Sequence, residues 1–157
     1  MHKQCCVMLV IILLLIVPSC AIDRNEYSEF KDIPIDGWKY DDTLIFTPQL
    51  NDSVAIGVLE IALRHNNDYL YSNLWLEVSY CTAIDSMIAV VDTLNIELAD
   101  IYGKWHGSGS GMLYQLSDSI ATECSLKSGV PIKVRHIMRD DNLTGIEQVG
   151  ITFTPND

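Results

Sequence analysis

The sequence predicts an all-β fold: an antiparallel β-sandwich of about seven to eight strands in a single domain. Three observations lead there. Beyond Trp38, apolar and polar residues alternate with a two-residue period in one segment after another, as in strands with one face on a core and one in water. Turn formers separate those segments at Asn66-Asn67-Asp68, Gly107 to Gly111, Ser128-Gly129 and Asp140-Asp141-Asn142. No span of a dozen residues carries a 3.6-residue period, and only Met112 to Leu116 has the spacing of a helical turn. Two packed antiparallel sheets satisfy this pattern. A closed barrel is the alternative.

Residues 1–19 read as a leader. A short basic start, Met1-His2-Lys3-Gln4, precedes an apolar run from Cys5 to Val17, and Val17-Pro18-Ser19-Cys20 closes it. That order of basic, apolar and small residues is an export signal. A cysteine directly after the small residues makes it a lipoprotein signal, with Cys20 as the acylated first residue of the mature chain. The apolar run is shorter than the ~20 residues of an ordinary spanning helix.

Residues 20–37 read as a tether. Ala21 to Glu26 has little to bury, and Pro34 to Gly37 is turn chemistry. Residues 38–157 then form the sandwich domain. Its expected strands are built on Leu59, Ile61 and Leu63; on Leu74, Leu76, Val78 and Tyr80; on Leu94, Ile96 and Leu98; on Ile132, Val134, His136 and Met138; and on Val149, Ile151 and Phe153. No internal repeat or low-complexity block interrupts them.

The mature chain would have 138 residues, room for one domain. Such a chain buries ~68% of its unfolded surface, enough for a core without metals or staples. Lys3 leaves with the leader, so nine Lys and Arg face 21 Asp and Glu. That balance excludes nucleic acid as a partner, since no basic stripe is present to neutralise phosphates. It also excludes adsorption to anionic lipid, so the acyl chains on Cys20 must supply the membrane attachment. Cys81 and Cys124 are left after processing, in a compartment that permits disulfides. Strand parity places Cys81 with Glu77 and Ser79 but Cys124 with Ile120 and Leu126, which favours two free thiols.

Catalytic chemistry is sought and not found. His136 shares an apolar strand face with Val134 and Met138, the place of a core histidine bonded to backbone. His65 and His106 sit at loop edges without a second His or Cys at ligand spacing, so no metal site is expected. The Gly107-Ser108-Gly109-Ser110-Gly111 run lacks the lysine and helix of a phosphate loop and reads as a hairpin or bulge. Asp140, Asp141 and Asn142 read as turn formers rather than calcium ligands. No catalytic residue and no cofactor are expected.

The aromatics say more. Trp38, Tyr69, Tyr71, Trp75, Trp105 and Tyr114 lie at loops or on the expected outer face. Rigid aromatics placed there either form a binding surface, with Trp75, Trp105 and Tyr71 as its candidates, or, for Trp38 and Trp105, cap the open ends of the sandwich. An Asp, then Ser or Thr, then an aliphatic residue or Met also recurs five times, with hydroxyls at Thr43, Ser53, Ser86, Thr93 and Ser119. Average composition predicts about one such triplet. The triplet resembles an O-glycosylation sequon of exported Bacteroidetes proteins, and it equally describes the edge of a hairpin.

Several segments carry a family resemblance. Arg64-His65-Asn66-Asn67-Asp68-Tyr69 with Tyr71-Ser72-Asn73-Leu74-Trp75-Leu76 resembles the central signature of the gliding-motility lipoprotein GldH family. Asp92-Thr93-Leu94, Leu98-Ala99-Asp100, Gly103-Lys104-Trp105 and Gly107 to Gly109 resemble its second block. His136-Ile137-Met138-Arg139, Leu143, Gly145-Ile146 and Val149-Gly150-Ile151 resemble the third, while Trp38 and Asp41-Asp42 fit its N-terminal approach. The resemblance implies an outer-membrane lipoprotein that serves gliding motility and the associated type IX secretion machinery without enzymatic activity, alongside other envelope lipoproteins. A glycan-binding module and a lipoprotein that stabilises an envelope neighbour are the alternatives.

Overall fold

The computed structural model describes residues 26–83 and 88–156. They form two antiparallel sheets and a small strand pair, with no helix among the described residues. The sheets stay open, so the sandwich holds and the barrel alternative falls. The first sheet has the spatial order β1 (Tyr27–Asp32), β11 (Ile146–Pro155), β4 (Val54–His65), β8 (Leu113–Lys127), β7 (Ser108–Ser110). The second is β3 (Leu44–Phe46), β9 (Ile132–His136), β5 (Asn73–Cys81), β6 (Ala89–Glu97). Between them β2 (Trp38–Lys39) pairs with β10 (Asn142–Leu143).

The alternation read in the sequence decides which face each strand buries. Leu59, Ile61 and Leu63 of β4 and Val149, Ile151 and Phe153 of β11 meet Leu74, Leu76 and Val78 of β5 and Ile132 and Val134 of β9 in one cluster. Burying a residue of that size stabilises the fold by about 1.5–3 kcal/mol relative to leaving it in water, and the inner faces of both sheets are made of such residues. Cys124 joins the core while Cys81 stays half-buried, and both are free thiols. Burial pushes the Cys124 thiol up to about 11.

Two elements depart from the sequence reading. Tyr27–Asp32, read as tether, forms β1 and pairs with β11 from Tyr27↔Phe153 to Asp32↔Gln148. The cause is local fit: Phe30 lies over Gly150, where a Cβ would sit 2.7 Å from its ring, and the Arg64 guanidinium stacks on it at 4.3 Å. Met112 to Leu116, read as a helical turn, instead turns the β7–β8 hairpin and starts a 15-residue strand. Pairing with β4 overrides the local spacing there.

The strand directions give the domain two poles. Tyr27, the start of β4, the ends of β8 and β11 and the bridge Thr82↔Leu126 share one pole. The end of β4, the starts of β5, β8 and β11, and the loops after β6 and β9 share the other. The N-terminal strand therefore enters at the pole opposite the loops that follow β4, β6 and β9.

Candidate functional site

At that far pole the loop between β4 and β5 is built from short polar side chains. Asn66 Oδ1 accepts from the Asp68 amide at 2.7 Å, and the Asn66 amide donates to the Gly145 carbonyl at 2.8 Å. Gly145 has φ +86°, and a Cβ there would lie 2.2 Å from the Tyr69 nitrogen. Only glycine fits both demands. This close approach drives Tyr69 inward, to 3% exposure, where its hydroxyl donates to the Asn73 carbonyl at 2.8 Å.

Tyr71 stands edge-on to Tyr69 at 5.8 Å, and its hydroxyl donates to Asp140. That bond to a carboxylate holds the phenol above its usual range. Four residues on, Trp75 points outward from β5 and is 40% exposed. Its amide donates to Met138 Sδ at 3.3 Å and its carbonyl accepts from the Ile137 amide at 2.9 Å. Among the described residues its indole has no ring partner and no hydrogen bond. Tyr71, Asn73, Trp75, Ile137, Met138, Arg139 and Asp140 thus enclose an open groove of about 540 Å³.

A second groove of about 510 Å³ adjoins it across β5 and β6, between Asn73, Asn95, Glu97 and the loop that carries Asp100, Tyr102 and His106. Asn73 Nδ2 donates to Asn95 Oδ1 at 2.6 Å, so one amide pair forms the saddle between the two. Asp100 Oδ1 accepts from the amides of Lys104 and Tyr102 at 2.9 and 2.8 Å; the Lys104 bond does most to hold its carboxyl below the usual range.

Trp105 belongs elsewhere. It is half-buried, edge-on to His65 at 4.6 Å, and its Nε1 donates to Asn67 Oδ1 at 2.9 Å. His65, read from the sequence as a loop-edge residue, is fully buried. Tyr114 stacks on it at 5.5 Å, its Nδ1 donates to the Asn66 carbonyl at 3.2 Å, and burial holds its pKa below the usual imidazole value. The structure therefore brings Tyr71 and Trp75 together and sets Trp105 into a separate internal cluster.

Trp38 and Tyr69 are corrections to the list of surface aromatics. Trp38 is 1% exposed, donates from Nε1 to the Asp42 carbonyl at 3.0 Å, and meets the His136 ring at 5.3 Å. His136 is the core histidine that the sequence suggested, with Nε2 donating to the Trp38 carbonyl at 3.1 Å.

Thr43, Ser53, Thr93 and Ser119 are all exposed, as a modified hydroxyl requires. Ser86 and Cys20 lie outside the described residues. Among the described residues no three His, Cys, Asp or Glu side chains are arranged to hold a metal ion. Of the groove residues, Met138, Arg139 and Asp140 read in the sequence only as strand, family-segment and turn positions, and Asn95 and Tyr102 are not among the binding candidates. For Asn95 a signal existed, since strand parity sets it on the outer face with Glu97.

Residues 25–153 match the profile of the GldH lipoprotein family. The chain belongs to that family. It is 32% identical over 111 residues to the gliding motility lipoprotein GldH homolog of Christiangramia forsetii, a match covering 71% of this chain and 65% of that one. It is 25% identical over 141 residues to gliding motility lipoprotein GldH of Flavobacterium johnsoniae, covering 85% and 87%. Among solved structures, the globular domain of zebrafish complement 1qA protein aligns at 12% identity with a TM-score of 0.42, covering 85% of this chain and all of that one. Several of the segments that resemble the GldH family in sequence reach the two grooves: Tyr71 and Trp75 from the first, Ile137, Met138 and Arg139 from the third, and Ala99 and Asp100 from the second.

Proposed function

We propose that this GldH-family lipoprotein is held to the outer membrane through an acylated Cys20 and acts as a non-enzymatic accessory component of the envelope assembly that serves gliding motility and type IX secretion. One observation carries the reading. Trp75, beside Tyr71, is an exposed rigid aromatic that nothing inside the domain uses, and it lies at the pole opposite the strand that leads back to the anchor. A surface indole of that kind supplies contact area at low entropic cost.

The geometry suits a tethered partner. Cys20 precedes Tyr27 by seven residues, a reach of at most about 24 Å. The anchor then confines the domain to the membrane plane and raises its effective concentration near other anchored components, while the Tyr71–Trp75 groove faces away from the lipid. The test is affinity purification of a tagged copy from crosslinked native membranes, run beside Trp75→Ala. Other envelope lipoproteins or motility and secretion components should be enriched with the parent chain and lost with the variant. Equal recovery with both would remove this surface from the contact. Cys20→Ser should release the chain from the outer-membrane fraction.

A further inference from the structure

Resting on the reading of Tyr71–Trp75 as the contact surface, we infer that the component bound there is recognised through an unbranched, neutral oligosaccharide that it carries, lying across both grooves. The argument begins with shape. The two grooves follow each other over the loop after β9, then β5, β6 and the loop after β6, with the Asn73–Asn95 pair between them. β9, β5 and β6 are successive neighbours, so at the ~4.8 Å spacing of strands the track spans at least about 10 Å, the dimension of two or more linked sugar rings. Their volumes of about 540 and 510 Å³ each fall within the range of small-ligand sites.

The chemistry of the lining is specific. Trp75 offers an indole face to the apolar C–H side of a sugar ring, and Tyr102, 88% exposed, offers a second ring at the other end of the track. A sugar hydroxyl both donates and accepts, and the side chains between those rings match that duality. The Asn73–Asn95 bond leaves a free amide acceptor on Asn73 and free amide donors on Asn95. The Tyr71 hydroxyl occupies one carboxylate oxygen of Asp140 and leaves the other as an acceptor.

Charge narrows the class. Asp140, Glu97 and Asp100 outnumber Arg139 along the track, so a polyanionic chain would meet net repulsion while a neutral one would not. A bare polypeptide surface is the weaker fit. The apolar floor is limited to Trp75, Ile137 and Met138, whereas a specific protein contact buries ~800 Å² on each side around an apolar centre.

The experiment uses the full lipidated chain in detergent micelles. It is titrated by calorimetry and tryptophan emission with neutral hexasaccharides of glucose, N-acetylglucosamine, mannose and xylose, and with hexagalacturonate as the polyanion. At least one neutral chain should bind with a change in tryptophan emission, since Trp75 is the exposed indole and Trp38 is sealed. Trp75→Ala should weaken that binding about tenfold and Asn73→Ala several-fold, with thermal midpoints near that of the parent. The inference is overturned if no neutral hexasaccharide binds up to about 10 mM, if hexagalacturonate binds as tightly, or if Trp75→Ala binds unchanged. Should no sugar bind while capture of crosslinked partners still depends on Trp75, the contact surface stands and its occupant is a protein.

Discussion

Two aromatic regions share one pole and do opposite work. Around His65, the rings of Trp105, Tyr114 and Tyr69 turn inward at 4.6, 5.5 and 6.2 Å, and every polar tip there that forms a bond reaches a group of the same domain. Around Trp75, by contrast, the indole makes no ring contact among the described residues and lies open in a groove lined by both polar and apolar side chains. Residue type is the same in both. What differs is whether the fold supplies a partner: a ring that has one contributes stability, and a ring that lacks one is available to a ligand. Tyr69 separates the regions, edge-on to Tyr71 on one side and tilted against His65 on the other.

Breaking that divider should have the largest effect. Gly145→Ala places a Cβ 2.2 Å from the Tyr69 nitrogen at φ +86°, and a loss of about 3 kcal/mol in denaturant-unfolding stability is expected. Next comes the internal cluster: Trp105→Ala should cost about 2 kcal/mol, because it removes the half-buried indole that covers buried His65. A thermal midpoint unchanged by that variant would erase the distinction drawn between Trp105 and Trp75.

Acid should act through the same sealed groups. Burial holds His65 and His136 neutral, below the usual imidazole range. Below the unfolded value of about 6.5 the unfolded chain binds protons that the folded chain refuses, so stability is full above that pH and declines as pH falls. Thermal unfolding from pH 7.5 to 5 should show the decline, and a His65→Gln, His136→Gln double variant should flatten it. The carboxyls of Glu77 and Asp100, held below their usual range by bonds to Arg135 and the Lys104 amide, add a further loss only at more acid pH. The smallest stability change is expected for Trp75→Ala, within about 0.5 kcal/mol, with the whole of its effect falling on binding.

Much of the fold is legible in the chain. Leu74, Leu76, Val78 and Tyr80 alternate with Trp75, Glu77, Ser79 and Cys81, and each named apolar side chain is buried while Trp75 is exposed. Period-two burial is a local property, because successive side chains of a strand leave on opposite faces whatever the strand pairs with. For the same reason the parity of Cys81 and Cys124 already separated the two thiols. Membership of the GldH family was likewise written in short, ordered segments.

The tertiary structure decided what no local pattern could hold. Tyr27–Asp32 is a strand because β11 offers it an edge and Gly150 leaves room for Phe30, a condition 120 residues away in sequence. Trp38, Tyr69 and Trp105 look like Trp75 in a linear reading, since all four lie at or near turns. Whether such a ring is covered depends on what a distant part of the chain brings to it: His136 to Trp38, Gly145 to Tyr69, His65 to Trp105. Met138, Arg139 and Asp140 become the wall of a groove only once β9 pairs with β5. Periodicity determines which face of a strand is apolar, but a surface is made by non-local contacts, and those are settled only when the chain has closed on itself.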